Sequence, residues 1–301
     1  MEMYHKPVLL DSSINGLAVK SDGIYVDVTF GGGGHSKAIL EKLSNKGKLI
    51  AFDQDDEAML NKINDDRILF ISSNFRYLNK FLKLNKINKV DGILADFGVS
   101  SHQFDSKERG FSTRLNGPLD MRMDKDQSLS ASIIVNKYSE AELEKLFKNY
   151  GELRKSKQLA AVIGVQRSIA PIISTGDLRR VVESIFPERF LNKTLAQLFQ
   201  ALRIEVNHEL DVIKDFLNQT AESLIPGGRL VCISYHSLED RLVKRFIREG
   251  KFEGEAPKDI FGNTNLPFKK IGGVQIPSLN EINKNNRSRS AKLRVAERIF
   301  N

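Results

Sequence analysis

The chain has 301 residues, 41% of them hydrophobic, with 46 Lys and Arg against 38 Asp and Glu. That length holds one large domain or two modest ones, and the composition excludes a disordered chain. No apolar run approaches the roughly 20 residues of a membrane span, the N-terminus begins no secretory signal, and the single cysteine, Cys232, excludes an internal disulfide and fits a reducing cytoplasm. Five scattered histidines and one cysteine show no metal-ligand spacing.

Apolar runs alternate with helical patterns through the first hundred residues. Strands are predicted over 24–30, 48–53, 68–72 and 90–97, and helices near 35–45, 55–64 and 76–85. This β-α-β alternation predicts an α/β fold with a mostly parallel sheet and helices on both faces. The first strand runs into Asp27-Val28-Thr29-Phe30-Gly31-Gly32-Gly33-Gly34-His35-Ser36. Glycines there let the chain turn sharply and let a ligand approach the backbone. The helix start that follows offers unpaired N–H groups to an anion. Asp53 ends the second strand 20 positions after Gly33, the remove at which an acidic residue holds ribose hydroxyls. Together these predict a site for an adenosine-containing cofactor. Ser36 stands where a dinucleotide fingerprint has its third glycine, which weakens NAD. Asp27 could face the ammonium of S-adenosylmethionine, which suits that donor better.

The fourth strand ends in Asp96-Phe97-Gly98-Val99-Ser100-Ser101, at the carboxyl side where open α/β sheets bind ligands. From 105 to 205 strand signal almost vanishes. A loop rich in Arg, Gly and Asp spans 108–126, and helices are predicted near 139–149, 153–169, 175–185 and 193–205. This predicts a helical substrate-recognition domain, 105–205, inserted into a cofactor-binding domain made of 1–104 and 206–301. Sheet signals resume with a strand over 229–235, then a helix over 238–250. A Gly/Pro-rich stretch over 254–280 leads to a last strand over 291–299.

Charge is unevenly placed. From Arg241 onward there are 14 Lys and Arg against 6 Asp and Glu, so this segment carries the whole net charge of +8. Such a concentration attracts phosphate backbones, with Arg287, Arg289 and Lys292 as candidate contacts. Arg109 and Phe111 pair a cation with an aromatic ring, as a flipped base and its phosphate would require. Phe111 packed in a core is the alternative. His236 ends the later strand on the same sheet edge as Asp96 and could accept a proton or contact RNA. Glu205 and Glu209 read as surface charges. An NAD-linked oxidoreductase and a non-catalytic RNA-binding factor remain alternatives on the residues alone.

Several long stretches then carry a resemblance. They are His5-Lys6-Pro7-Val8-Leu9-Leu10, Thr29 to Ser36, Asp96 to Ser101, Arg109-Gly110-Phe111-Ser112 and Gly117-Pro118-Leu119-Asp120-Met121-Arg122-Met123. Phe199-Gln200-Ala201-Leu202-Arg203, Ser234-Tyr235-His236-Ser237-Leu238-Glu239-Asp240-Arg241, Arg289-Ser290-Ala291 and Leu293-Arg294 continue it. In this order they resemble the bacterial 16S rRNA (cytosine-N4)-methyltransferase family known as RsmH or MraW, over essentially the whole chain. The resemblance implies a Rossmann-like class I methyltransferase fold with an inserted all-helical domain. It implies S-adenosylmethionine as cofactor, no metal, and N4 methylation of a cytidine in the decoding centre of the assembled small subunit. It implies cofactor contacts at Gly33, Gly34, His35, Asp53, Phe75, Asp96 and Gln103. Asp96 stands where it would touch the cofactor, the reacting amine or both. Asp96 and His236 are the candidate catalytic pair. His102 stands where the family usually shows Pro, and Tyr235 where Phe is commoner. A homodimer is compatible with the resemblance, and the residues leave the oligomeric state open.

Overall fold

A computed structural model describes residues 7–258, 260–262 and 264–299. His5 and Lys6, at the head of the first matching stretch, lie outside the described residues. The chain divides into two compact units, one running up to Gly98 and resuming at Leu210, the other Val99–Glu209.

In chain order the first unit opens with α1 (Leu10–Leu17), β1 (Ile24–Asp27), α2 (Gly34–Leu40), β2 (Lys48–Asp53), β3 (Ile68–Ser72), α3 (Leu78–Leu84) and β4 (Val90–Asp96). The second unit holds α4 (Ser101–Asp105), α5 (Ala131–Lys137), α6 (Glu140–Asn149), α7 (Ser156–Ile169), α8 (Thr175–Glu183) and α9 (Glu188–Asn207). The chain then returns through α10 (Glu209–Ser223) to β5 (Leu224–Ser234), α11 (Ser237–Glu249), β6 (Phe268–Gln275), α12 (Leu279–Lys284) and β7 (Lys292–Arg298).

The seven strands form one sheet in the order β3-β2-β1-β4-β5-β7-β6. Strands β1 to β5 pair in parallel, and β7 runs antiparallel to both β5 and β6. This is the α/β architecture expected from the sequence, a mostly parallel sheet with helices on both faces. Both faces are covered, as parallel strands require. Val26, Ile50, Ile93 and Cys232 point to one face, under α3, α10 and α11. Tyr25, Leu49, Leu94, Val231 and Ile233 point to the other, under α1 and α2. The alternation follows from the two-residue period of a strand.

Three local expectations change. The helix expected over 55–64 is a 3-10 turn, Asp56–Asn61, capped by the Asp55 carboxylate on Glu57 N at 3.0 Å. Strand β6 lies inside the stretch expected to be a connection. It is an edge strand with exposed residues nearly throughout, so it carries no apolar alternation to read. Helices α1, α5 and α10 were not expected from the sequence.

In the helical unit the loop over 108–126 is locked rather than loose. A Cβ at Gly110 would stand 2.2 Å from the Pro118 carbonyl oxygen, and one at Gly117 only 1.9 Å from that of Lys107. Asn207 at the end of α9 accepts from Met123 N at 2.8 Å and donates to the Met121 carbonyl at 2.8 Å. Arg203 forms a two-point pair with Glu209 at 2.7 and 2.8 Å. Glu209 is buried, so the expected surface charge is an internal brace. Glu205 accepts from the Tyr138 hydroxyl at 2.9 Å. Among the described residues no helix is long and apolar enough to cross a membrane.

Candidate active site

The carboxyl ends of β1, β2, β4 and β5 bring the predicted residues of the first unit to one edge of the sheet. β1 pairs with β2 on one side and β4 on the other, so connections leave in opposite directions there and open a crevice. The glycine turn enters it after β1. Gly31 and Gly33 have φ of 51° and 74°, the left-handed region that glycine adopts without a steric cost. Phe30 N bonds the Phe52 carbonyl at 2.9 Å, and Val28 N bonds that of Leu94 at 2.9 Å. The turn is thus stitched to both neighbouring strands.

Asp27 is fully buried. Its Oδ1 accepts from Thr29 N at 3.1 Å and its Oδ2 from the Ser36 hydroxyl at 2.7 Å. Burial pushes its carboxyl up, and the His35 charge acts in the opposite direction. The expectation that Asp27 faces a ligand ammonium is corrected: it ties the strand end to the start of α2, with its oxygens turned inward. Thr29 in turn accepts Asp96 N at 2.7 Å, a link the sequence did not signal.

Asp53 is only partly covered. Its Oδ2 accepts from Gly31 N at 2.7 Å and its Oδ1 from Asp55 N at 2.9 Å. Each carboxylate oxygen keeps a further acceptor position. Burial pushes its pKa up to about 6, while the two backbone N–H bonds pull it down. His35 is buried, with Nε2 3.1 Å from the Val8 carbonyl. A carbonyl only accepts, so Nε2 carries a proton. Nδ1 then faces Asp96 Oδ2 at 3.9 Å. A Cβ at Gly34 would fall 2.2 Å from Pro7 Cγ, so that glycine permits close packing under the turn. Phe75, after β3, packs its ring against Phe97 and Phe216 at 6.1 and 5.4 Å between centroids.

Asp96 ends β4. Its Oδ1 is buried with no hydrogen-bond partner among the described residues, and the nearby Tyr235 hydroxyl acts on its carboxyl. Burial pushes the Asp96 carboxyl up to about 6; the His35 charge and the Tyr235 bond lower it, and Asp27 and Glu239 raise it. Burial pushes the Tyr235 hydroxyl well up from its ordinary value, so it stays a donor. An unpartnered buried acceptor is costly and marks a place where a ligand donor belongs.

His236, after β5, is the N-cap of α11. Glu239 N donates to its Nδ1 at 3.5 Å, and its Nε2 lies 3.0 Å from Glu239 Oε1. Glu239 Oε2 accepts from Tyr235 N at 2.7 Å and His236 N at 3.2 Å. This capping box gives His236 a holding role at the start of α11, and its Nε2 is buried with no hydrogen-bond partner among the described residues. Glu239 was missed; its signal is the three-residue spacing from His236.

Other expected contacts also change. Gln103 is buried, and its Oε1 accepts from Ser100 N at 3.0 Å to cap α4. Arg109 is buried, and its guanidinium donates to the Arg122 and Met123 carbonyls at 3.0 and 3.1 Å. Phe111 lies in the core of the helical unit. Neither Arg109 nor Phe111 is presented to RNA. Arg287, Arg289 and Lys292 are exposed, and Lys292 Nζ stands 3.6 Å from Asp240 Oδ2.

The turn and the Asp53 oxygens with acceptor capacity to spare fit a cofactor that carries an amino-acid carboxylate and a ribose diol, and the orphaned Asp96 oxygen beside them offers an acceptor to a further N–H or O–H donor. Comparison with known proteins agrees. The chain is similar over 296 residues to ribosomal RNA small subunit methyltransferase H of Christiangramia forsetii, at 57% identity and 98% coverage of each chain. It is 55% identical to that of Flavobacterium johnsoniae, again over 98% of each, and 50% identical to that of Bacteroides fragilis over 98% of this chain and 97% of the other. The model of the MraW methylase family matches residues 2–299, and the chain belongs to that family.

Proposed function

We propose that this protein uses S-adenosylmethionine to methylate N4 of a cytidine in the decoding centre of 16S rRNA, within the assembled small subunit, in the cytoplasm. The observation that carries the reading is the buried, unpartnered Asp96 Oδ1 at the end of β4. When bound, the cofactor supplies an electrophilic methyl group on a sulfonium. Asp53 would accept from its ribose hydroxyls, the backbone of Gly33 and Gly34 would meet its carboxylate, and Phe75 would border its base. His35 acts through Asp96, across the 3.9 Å approach of Nδ1.

The exocyclic amine of cytosine is a weak nucleophile because its lone pair is shared with the ring. Asp96 Oδ1 accepts an N–H of that amine, which localises the lone pair for attack, and takes the proton as the N–C bond forms. The Tyr235 hydroxyl lowers the pKa of that carboxyl. His35 from α2, Asp27 from β1 and Glu239 from α11 are the further charged or titratable groups acting on Asp96. Removing the phenol should raise the Asp96 pKa, because its bond lowers it. Tyr235→Phe should therefore move the acid limb of the pH–kcat profile to higher pH, with rates converging on wild type well above pH 7. An unmoved limb would remove Tyr235 from this role.

Methylation at C5 instead would need a thiolate to add to the ring. Cys232 is fully buried in the sheet core and burial pushes its thiol up, so it is inert. Purified small subunits, labelled S-adenosylmethionine and nucleoside analysis of the product test the reading. The expected product is N4-methylcytidine, with Cys232→Ala retaining transfer within a few-fold of wild type and any loss traced to stability. A 5-methylcytidine product, or a well-folded but inactive Cys232→Ala protein, would overturn the chemistry. Binding without transfer would favour the RNA-binding factor.

A further inference from the structure

The segment that carries the whole net charge, from Arg241 onward, builds most of α11 and all of β6, α12 and β7. A cavity of about 430 Å³ opens between the second half of α11 and the β6–β7 edge of the sheet. On the α11 side its floor is apolar, formed by Ile247 and Phe268. Cations line both walls: Lys244 and Arg248 on α11, and Lys270 on β6, whose register with Ala296 puts it on the same face as Phe268. Among the described residues no carboxylate lines it. Arg248 is already paired with Glu249 at 2.6 Å, and Arg294, at the back, with Asp240 at 2.7 Å. Lys244 and Lys270 make no ion pair among the described residues, so their charge is available to a ligand. Gly273 forms part of the lip, and a Cβ there would meet nothing within 4 Å. The β6–β7 register shifts between Ile271 and Gln275, which releases the glycine backbone from the ladder.

A volume of this size admits a small organic ligand. Apolar floor and flanking cations together match an unpaired nucleotide, whose base is apolar on its faces and whose phosphates lie on either side. We propose that this cavity is a second RNA-binding site. It takes one base of a single-stranded stretch, with the neighbouring phosphates on Lys244 and Lys270. The cavity residues of α11 follow His236 by 8 to 12 positions, about 12–18 Å along the helix. The site therefore grips RNA away from the methylated base. This rests on the RNA-methylating reading above.

The test uses the full chain, a fluorescent single-stranded oligoribonucleotide of mixed sequence, and anisotropy over a salt series. Neutralising Lys244 and Lys270 to Ala should weaken binding at least tenfold, whereas Lys269→Ala, on the other face of the sheet, should have a smaller effect. In the double variant the slope of log K against log salt should flatten by about 1.4, since each single-strand phosphate contact contributes about 0.7. S-adenosylmethionine binding by calorimetry should be unchanged, which shows that the variant is folded. A 4-thiouridine oligonucleotide should crosslink within 244–248 or 266–273. A blunt RNA duplex, which offers no unpaired base, should compete poorly. Equal RNA affinity and slope in the double variant would overturn the proposal, as would equal competition by the duplex or by polyglutamate. A wild-type protein that binds no RNA at any salt would instead reject the RNA reading as a whole.

Discussion

Asp96→Asn should lower kcat for methyl transfer by about 10²–10⁴-fold, the range for loss of a positioned general base. An amide oxygen can accept the amine N–H but cannot take its proton. The substitution is nearly isosteric, so the Tyr235 and Thr29 contacts on this strand end have no steric reason to move. Stability provides the control. The Asp96 pKa is raised from 3.8 to about 6 by burial, so the ionised form is disfavoured in the fold. Its contribution to stability is fully present below about pH 4 and is lost as pH rises through 6. A neutral Asn escapes that loss, and the variant should melt no lower than wild type at pH 7. The same titration predicts that wild-type kcat falls as pH drops through about 6, where Oδ1 becomes protonated. Initial rates on small subunits across pH 5–8 check both statements. A folded Asp96→Asn enzyme within about fivefold of wild type would reject Asp96 as the base.

Asp53→Ala should weaken S-adenosylhomocysteine binding by about 1.5–3 kcal/mol, the scale for a hydrogen bond to a charged group. That is roughly 10- to 150-fold in Kd, measured by calorimetry. The carboxylate also holds Gly31 N and Asp55 N, so Ala both removes the ribose acceptor and loosens the turn. Asp53→Asn separates the two effects: it keeps an oxygen for one backbone N–H but loses the charge, and should fall between wild type and Ala. Asp53 titrates near 6 because burial raises it. As an ionised acceptor it binds best above that pH, and wild-type affinity should decline as pH falls below 6. Unchanged affinity in Asp53→Ala would remove Asp53 from the cofactor site.

Much of the architecture was legible because local periodicity encodes it. Buried parallel strands are short apolar runs, and 48–53 and 68–72 agree with β2 and β3 to the residue. Long amphipathic helices such as α6 and α9 announce themselves by their apolar spacing and their caps. The glycine turn and the acidic residues at strand ends were readable because ligand-binding backbone needs unusual residues at fixed offsets. Exposed edge strand β6 was not readable, since solvent on both sides removes the alternation.

What the sequence determined by itself is the α/β class, the helical insertion, the family, and the set of polar residues at strand ends. It could not say what those residues face. Phe111 and Arg109 look like RNA contacts in a basic, aromatic run, but packing turns the ring into a core and the guanidinium onto two carbonyls. That the His236 imidazole caps α11 with Glu239 is visible only in the fold. Asp27, Asp53 and Asp96 look alike as carboxylates at the ends of strands, and only the tertiary structure separates them. Asp27 is satisfied and enclosed, Asp53 is half-covered with acceptor capacity to spare, and Asp96 keeps one buried oxygen without a partner. Periodicity along the chain reports which face of an element is buried. Whether a buried polar atom is already paired depends on groups tens of residues away, and only the folded backbone brings them together.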